Sequence, residues 1–503
     1  MKVLVTGGTG VVGRAAVDHL LAAGHTVRLL SRHADEDVRR WASGVEAHPG
    51  SVTRDADVAG AADGCGAVLH VAGIVAEDPP EATFQAVNVE GTRRLVREAA
   101  RAGVRRFVYV SSLGAEQGES AYHRSKLEAE EVVRAEFAGD WLVLRPGNVY
   151  GPGDGVVSLL LKMARTLPAV PVVGGGDHEF QPVWAEDVGE ALARAVDAAA
   201  PARTSLDLAG PQRTTLHGLL DAIEKLTGRS PVRVPVPELV ARAGTGLAGL
   251  LGVDFPVTAD QLTMLAEENV IPEGRPNALD VLGVPATPLV EGLAKLADAI
   301  PEHLPEDGTG SMHRERFWAD VEGSSLGPEE MLALVCDQFA ALAPDTMTVS
   351  PEPQPAPRME PGATMTLGVP LRGHVQVRVQ EVTPRAITAV TLEGHFFAGV
   401  IRFMADEPRP GVVRFEVRTY NRAADLVDRV AMRTLGKAAQ LATWQGFVEE
   451  VVRRSGGTAP GGVQSEDVAM PEEDAGDVER WVAELVMERR RQEPPTSDAE
   501  ARV

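Results

Sequence analysis

Lys2-Val3-Leu4-Val5-Thr6-Gly7-Gly8-Thr9-Gly10-Val11-Val12-Gly13-Arg14 opens the chain with an apolar run, a glycine loop and the start of a helical pattern. Glycines stand at 7, 10 and 13. A turn without side chains lets backbone N–H groups approach a pyrophosphate at a helix N-terminus. Gly7, Thr9, Gly10, Val12 and Gly13 are therefore candidate dinucleotide contacts. A glycine triplet alone is a weak signal in a chain with 51 glycines. The strand before it and the helix after it distinguish a phosphate loop from a tight turn.

Outward from this loop the same alternation continues. Runs rich in Val and Leu at 2–6, 26–31, 67–72, 105–111 and 141–145 read as buried parallel strands. Helical patterns at 81–101 and 121–137 lie between them. The pattern predicts an α/β fold, a Rossmann-like doubly wound parallel sheet. Residues 151–302 carry more Gly and Pro, with helices at 186–199 and 215–226, and read as a small cap over the carboxyl ends of the strands.

The remaining chain predicts an α+β domain. Residues 303–328 are polar and read as a linker, and Pro328 suits the first turn of a helix running to about Leu342. The five prolines of 350–362 predict an extended loop. Val375, Val377 and Val379 alternate with Gln376 and Arg378, and Val413, Phe415 and Val417 alternate with Arg414, Glu416 and Arg418, as in half-buried antiparallel strands. Leu426, Val430, Leu435, Leu441, Trp444, Phe447 and Val451 have helical spacing. The domains expected are 1–302, a linker at 303–328, an α+β domain at 329–455 and an acidic, mobile tail at 456–503. Within the tail, 477–491 reads as a short amphipathic helix around Trp481, Val482, Leu485 and Val486.

The second strand ends at Ser31-Arg32-His33. A carboxylate there would accept from the ribose 2′-OH of NAD(H). Arg32 can instead bind a 2′-phosphate, and Ser31 can add a bond. This predicts NADP(H) as the preferred cofactor, with NAD(H) possible.

Tyr122-His123-Arg124-Ser125-Lys126 is a YxxxK element. Four tyrosines and six lysines in 503 residues give about 0.05 such matches by chance. Residues i and i+4 share a helix face. A Lys ammonium, with the charge of an oxidised nicotinamide, would lower the Tyr pKa from about 10. Tyr122 could then exchange a proton with an alcohol or carbonyl oxygen. Ser111 and Ser112, which end the preceding strand, each offer a hydroxyl to orient that oxygen.

The chain has 49 Lys plus Arg against 72 Asp plus Glu, a formal charge of −23. Such a balance disfavours nucleic acid as a partner and polyanionic substrates. No run of eighteen apolar residues predicts an integral membrane segment. Two cysteines without a CxxC or Cys/His cluster predict no metal site and fit a reducing cytoplasm.

With these motifs assembled, residues 1–300 resemble the extended short-chain dehydrogenase/reductase family, most strongly its atypical branch related to the complex I accessory subunit. The resemblance rests on TGGTGVVG at 6–13, HVAG at 70–73, NVEGT at 88–92, VSS at 110–112, YHRSK at 122–126, LRPGNVYGPGD at 144–154 and FQPVWAEDV at 180–188. It implies Tyr122 as the acid/base, Lys126 as its partner and Ser112 as the orienting hydroxyl. It also implies that Ala72 and Gly73 lie beneath the cofactor, that Pro146 to Asn148 flank the nicotinamide, and that Asn88 holds local structure. Two positions depart from the pattern. Ser51 stands where many relatives have an Asp that meets the adenine, and Glu179 stands where nucleotide-sugar enzymes have a basic residue. The second disfavours epimerase or dehydratase chemistry on a sugar nucleotide.

Residues 330–455 resemble, more weakly, a bacterial domain family of unknown function in the helix-grip superfamily, which includes START-like and polyketide-cyclase-like proteins. TLEGH at 391–395, GVIRF at 399–403 and RFEV at 414–417 carry this likeness. Such folds often hold an apolar cavity. His395 reads as a turn or partly buried core residue, and Phe396 and Phe397 as core. The expectation is a cytoplasmic NADP(H)-dependent oxidoreductase acting on a small apolar ketone or alcohol, possible as a homodimer. The rival readings are a non-catalytic NADPH-binding sensor or assembly factor, and a carrier of a hydrophobic ligand.

Overall fold

The computed structural model describes residues 1–503 except 81, 119, 168, 237–267, 345–346, 353–357, 370–372, 425–436 and 493–503. Leu426, Val430 and Leu435 of the expected C-terminal helix lie outside the described residues. The chain divides into two compact units. One holds Met1–Leu161, Pro171–Ile223 and Arg233–Leu296; the other holds Lys162–Val170, Glu224–Val232 and Ala297–Val503.

The first unit is built on a seven-stranded parallel sheet. Its strands are β1 (Lys2–Thr6), β2 (Thr26–Ser31), β3 (Val45–Pro49), β4 (Ala67–His70), β5 (Arg106–Val110), β6 (Asp140–Pro146) and β7 (Thr204–Leu208). Their spatial order is β7-β6-β5-β4-β1-β2-β3. Strand order reverses between β1 and β4, the switch point where such sheets bind ligands beyond their carboxyl ends. Alternation along β1 explains the two layers. Val3 and Val5 join a core with Val17 and Leu20 of α1 (Val11–Ala22) and Val188 and Leu192 of Ala185–Ala195. Leu4 faces the opposite core, with Leu95 of α2 (Glu90–Arg101) and Val133 of α3 (Ala121–Glu136). The expected helix at 81–101 starts later than its pattern, after a π-helical turn at Gln85–Val89. The expected cap segment also gives elements to the Rossmann-like layer itself, because β7 and Ala185–Ala195 belong to the sheet and its core.

The second unit is an eight-stranded antiparallel sheet. In chain order its strands are β8 (Thr309–Glu322), β9 (Thr348–Glu352), β10 (Thr364–Val369), β11 (Gly373–Thr383), β12 (Ala386–Thr391), β13 (Phe397–Arg409), β14 (Val412–Ala423) and β15 (Gln464–Ala469). They lie in the order β9-β10-β11-β12-β13-β14-β8-β15. One face packs on α4 (Pro328–Leu342) and α5 (Lys437–Arg454).

Three expectations are corrected here. The linker 303–328 contains β8, paired with both β14 and β15. Its Phe317, Ala319 and Val321 point into the core, while Arg316 and Asp320 on the other face pair with Glu416 and Arg414. The tail supplies β15 and the helix α6 (Glu472–Gln492). The strands are covered on both faces: Val375, Val377 and Val379 are buried, but so are Gln376, Arg378 and Gln380. Arg378 donates to the carbonyl oxygens of Asp298 and Ile300 and to Glu302. Glu302 also receives Arg489 (2.8 Å) and Arg490 of α6. Val482 and Val486 of the same helix pack on Val390 and Val400.

Aromatic rings crowd the described part of the interior expected to hold a ligand. Phe339, Phe403 and Phe447 meet with centroids 5.4–5.6 Å apart, and Trp444 packs on Phe447 at 6.0 Å. These rings pack between the sheet and the helices α4 and α5. His395 accepts from the Phe397 N–H and stacks on Phe396, as a buried turn residue. No helix among the described residues is long and apolar enough to cross a membrane.

Burial would raise the Glu302 carboxyl, but Arg378 and Arg490 outweigh it and pull it down to about 2 from 4.5. Its contribution to stability is therefore present above about pH 4.5 and lost as the pH falls toward 2. Glu302→Gln should remove about 3 kcal/mol at neutral pH. Hydrogen exchange of Glu472–Gln492 measures this: acidification should loosen the helix in the parent and much less in the variant. Equal acid sensitivity in both would contradict the assignment.

Candidate active site

At the end of β1, Gly7 has φ +70°, and a Cβ there would lie 2.6 Å from the Ala72 nitrogen. A Cβ on Gly13 would lie 2.0 Å from the Gly7 carbonyl oxygen. Both positions exclude side chains, and so bring the start of α1 against β1. No side chain caps α1, whose N-cap is Gly10. Thr9 and Val12 flank this exposed turn, both half-buried. Uncapped N–H groups at a helix N-terminus suit a pyrophosphate.

Beneath the loop, a chain of hydrogen bonds places Ala72 and Gly73. The Ala72 N–H donates to Thr6 Oγ1 (3.2 Å), which lies 2.7 Å from His70 Nδ1. Thr92 donates to the Asn88 carbonyl (2.6 Å), so its oxygen accepts from His70 Nε2 (2.9 Å). His70 is thus a neutral Nε2–H tautomer. Burial, with Lys126 nearby, pulls its pKa down to about 3. Asn88 accepts from the Ile74 N–H and donates to the Ile74 carbonyl and Ser125 Oγ. These bonds tie the Ile74 backbone to α3.

The Tyr–Lys pair lies on α3, capped by Ser120. The two strand-end serines separate in function. Ser111 donates to Glu130 (2.5 Å), whereas Ser112 is near enough to Tyr122 to favour its phenolate. Lys126 Nζ donates to the Val110 carbonyl (2.6 Å) and sits over the Tyr109 ring, 4.7 Å from its centroid. A Cβ on Gly73 would come within 3.4 Å of that ammonium. Burial pulls Lys126 down to about 8, against the pull of Glu130. Tyr122 departs from expectation. Burial pushes it up to about 12, with Ser112 acting the other way.

Pro146 ends β6, and Asn148 Oδ1 is buried with no hydrogen-bond partner. An orphaned acceptor beside Pro146 fits a carboxamide donor. Between them, a Cβ on Gly147 would approach Asn269 Oδ1 (3.1 Å) and Leu113 Cδ2 (3.3 Å). Asn269 and Leu113 line a cavity of about 440 Å³ that includes Gln117, His178, Glu268 and Arg275. At the end of β2, Arg32 is exposed and Ser31 donates to Asp37. Ser51 shares a hydrogen bond with Thr53, and its N–H is held by Asp57.

Sequence reasoning missed Glu130 and Arg145. Glu130 has no exposed surface and is gripped by Arg145 through two bonds of 2.8 and 2.6 Å. Arg145 continues to Glu116 (2.6 Å), which meets Arg275 (2.9 Å), which meets Asp207 (3.2 Å). Burial opposes the Arg145 charge, and the carboxylates of Glu130 and Glu116 more than offset it. The signals in the sequence are an arginine ending an apolar strand run and a carboxylate four residues after Lys126. Glu130→Ala takes the two-bonded partner from buried Arg145, leaving Glu116, and should cost about 3 kcal/mol, read as a lower urea midpoint. An unchanged midpoint would show that the pair is dispensable.

Residues 3–206 match the model of the NAD dependent epimerase/dehydratase family, and residues 333–450 match a domain of unknown function (DUF1990). Similar proteins include a ceramide reductase of Caulobacter vibrioides, 37% identical over 34% of this chain and 53% of that protein. The NADH dehydrogenase (ubiquinone) 1 alpha subcomplex subunit 9 of Rattus norvegicus is 31% identical over 41% of this chain and 54% of its own length. Sterol demethylase protein B of Methylococcus capsulatus is 31% identical over 47% of this chain and 78% of its own. The chain spans about half the length of the first two. With its glycine loop, its Tyr–Lys helix and this breadth of likeness, the chain belongs to the NAD dependent epimerase/dehydratase family.

Proposed function

We propose that the protein is an NAD(P)(H)-dependent oxidoreductase that interconverts a ketone and a secondary alcohol, with NADP(H) preferred through Arg32. The observation that carries this reading is the grouping of buried Ser112 at the end of β5 with Tyr122 and buried Lys126 on α3. When bound, the dinucleotide supplies or accepts the hydride and, oxidised, adds a positive charge. Gly7, Gly10 and Gly13, with Thr9 and Val12, hold its pyrophosphate. Ala72 and Gly73 lie beneath it, and Pro146 and Asn148 fix the carboxamide. Ser112 orients the substrate oxygen. In reduction, Tyr122 gives that oxygen its proton as the carbonyl carbon gains the hydride; in oxidation it takes the proton back. Lys126, close to Gly73, donates to the ribose hydroxyls and favours the phenolate.

An apolar substrate is supported by relatives named for ceramide and sterol chemistry. The cavity beside Leu113 has a mixed wall, with Gln117, Glu268 and Arg275 among its polar groups. We therefore propose an apolar body with a polar end near the reacting carbon. The homodimer expected from the sequence stays part of this reading, as does a soluble cytoplasmic setting.

A second reading, an NADPH-binding subunit without turnover, is favoured by one observation. The chain is similar to subunit 9 of the NADH dehydrogenase (ubiquinone) 1 alpha subcomplex. Tyr122→Phe separates the two. NADPH consumption with a panel of steroid and long-chain 3-ketones should fall about 10²–10⁴-fold, while NADPH affinity stays within about twofold. Turnover unchanged by the substitution would overturn the assignment of Tyr122.

A further inference from the structure

Ser31 closes β2 and gives its only hydroxyl proton to Asp37 Oδ2, at 2.5 Å. The His33 N–H reaches the same Ser31 oxygen at 3.4 Å. Asp37 is half-buried at the end of the short helical turn Ala34–Asp37. Arg32, one residue after Ser31, is exposed and makes no ion pair with a described residue.

This arrangement divides the hydrogen-bonding roles at the strand end. A ribose 2′-OH has a proton to give and needs an acceptor. A 2′-phosphate carries acceptors and negative charge, and needs donors. With its proton committed, Ser31 offers lone pairs only. The other oxygen of Asp37 does the same, and its charge repels a phosphate. Of the side chains of Ser31, Arg32 and Asp37, only that of Arg32 offers donors.

We propose that Asp37 is a specificity-determining residue that opposes Arg32. It acts as a like charge toward the 2′-phosphate and through Ser31 by holding the hydroxyl proton away from it. The preference for NADP(H) over NAD(H) is therefore narrow in this chain. The proposal rests on reading the glycine loop as a dinucleotide site.

Calorimetric titration of the full chain with NADPH and, separately, NADH tests it. In the parent the two dissociation constants should lie within about tenfold of each other. Asp37→Asn should move their ratio about tenfold toward NADPH, and Asp37→Glu should restore the parent ratio. Ser31→Ala removes an acceptor and should weaken NADH more than NADPH. It provides a second test should Asp37→Asn fold poorly. Equal changes in both affinities on Asp37→Asn, or a ratio unmoved by Ser31→Ala, would make Asp37 merely structural. Failure of the parent to bind either dinucleotide would instead overturn the reading of the loop, and the proposal with it.

Discussion

Glu130 is a carboxylate with no exposed surface, and the reacting end of the first unit is organised around it. A buried charge must be paired and hydrogen-bonded to be tolerated. Arg145 answers it from the neighbouring strand, Arg134 from its own helix and Ser111 from the end of β5. Because Ser111 is taken, Ser112 is the hydroxyl left to Tyr122. Lys126, one turn earlier on the same helix, donates to the Val110 carbonyl and lies over the Tyr109 ring, within the field of that carboxylate. The same network runs through Glu116 and Arg275 into the wall of the cavity. One ion pair thus links the position of the proposed proton-transfer groups to the wall of that cavity.

Much of this site is legible in local sequence patterns. Gly7 and Gly13 sit where a Cβ has no room, so their identity reports geometry directly. Tyr122 and Lys126 are four residues apart on one helix, and helical periodicity brings them to one face. Glu130 and Arg145 escape such a reading because their pairing is long-range: nothing in either segment says which arginine answers which acid. The phenol of Tyr122 shows the same limit. Spacing alone points to a lowered pKa, yet burial moves it upward.

The second unit shows why polar strands are easily lost. Phe317, Ala319 and Val321 alternate correctly, but Arg316 and Asp320 between them read as solvent-facing. Their partners, Glu416 and Arg414, lie about a hundred residues away on β14. The buried outer face is sealed similarly, by Arg489 and Arg490 converging on Glu302. These contacts make an expected linker and tail into parts of one sheet domain.

The central claim is that the loop after β1 and the helix bearing Tyr122 form one hydride-transfer site. A crystal structure of the complex with NADPH tests it most directly. The account predicts the pyrophosphate against the N–H groups of Gly10 to Gly13, and the nicotinamide between Tyr122 and Asn148, its carboxamide meeting Asn148 Oδ1. A dinucleotide bound elsewhere, or a nicotinamide turned away from the Tyr122 hydroxyl, would contradict it.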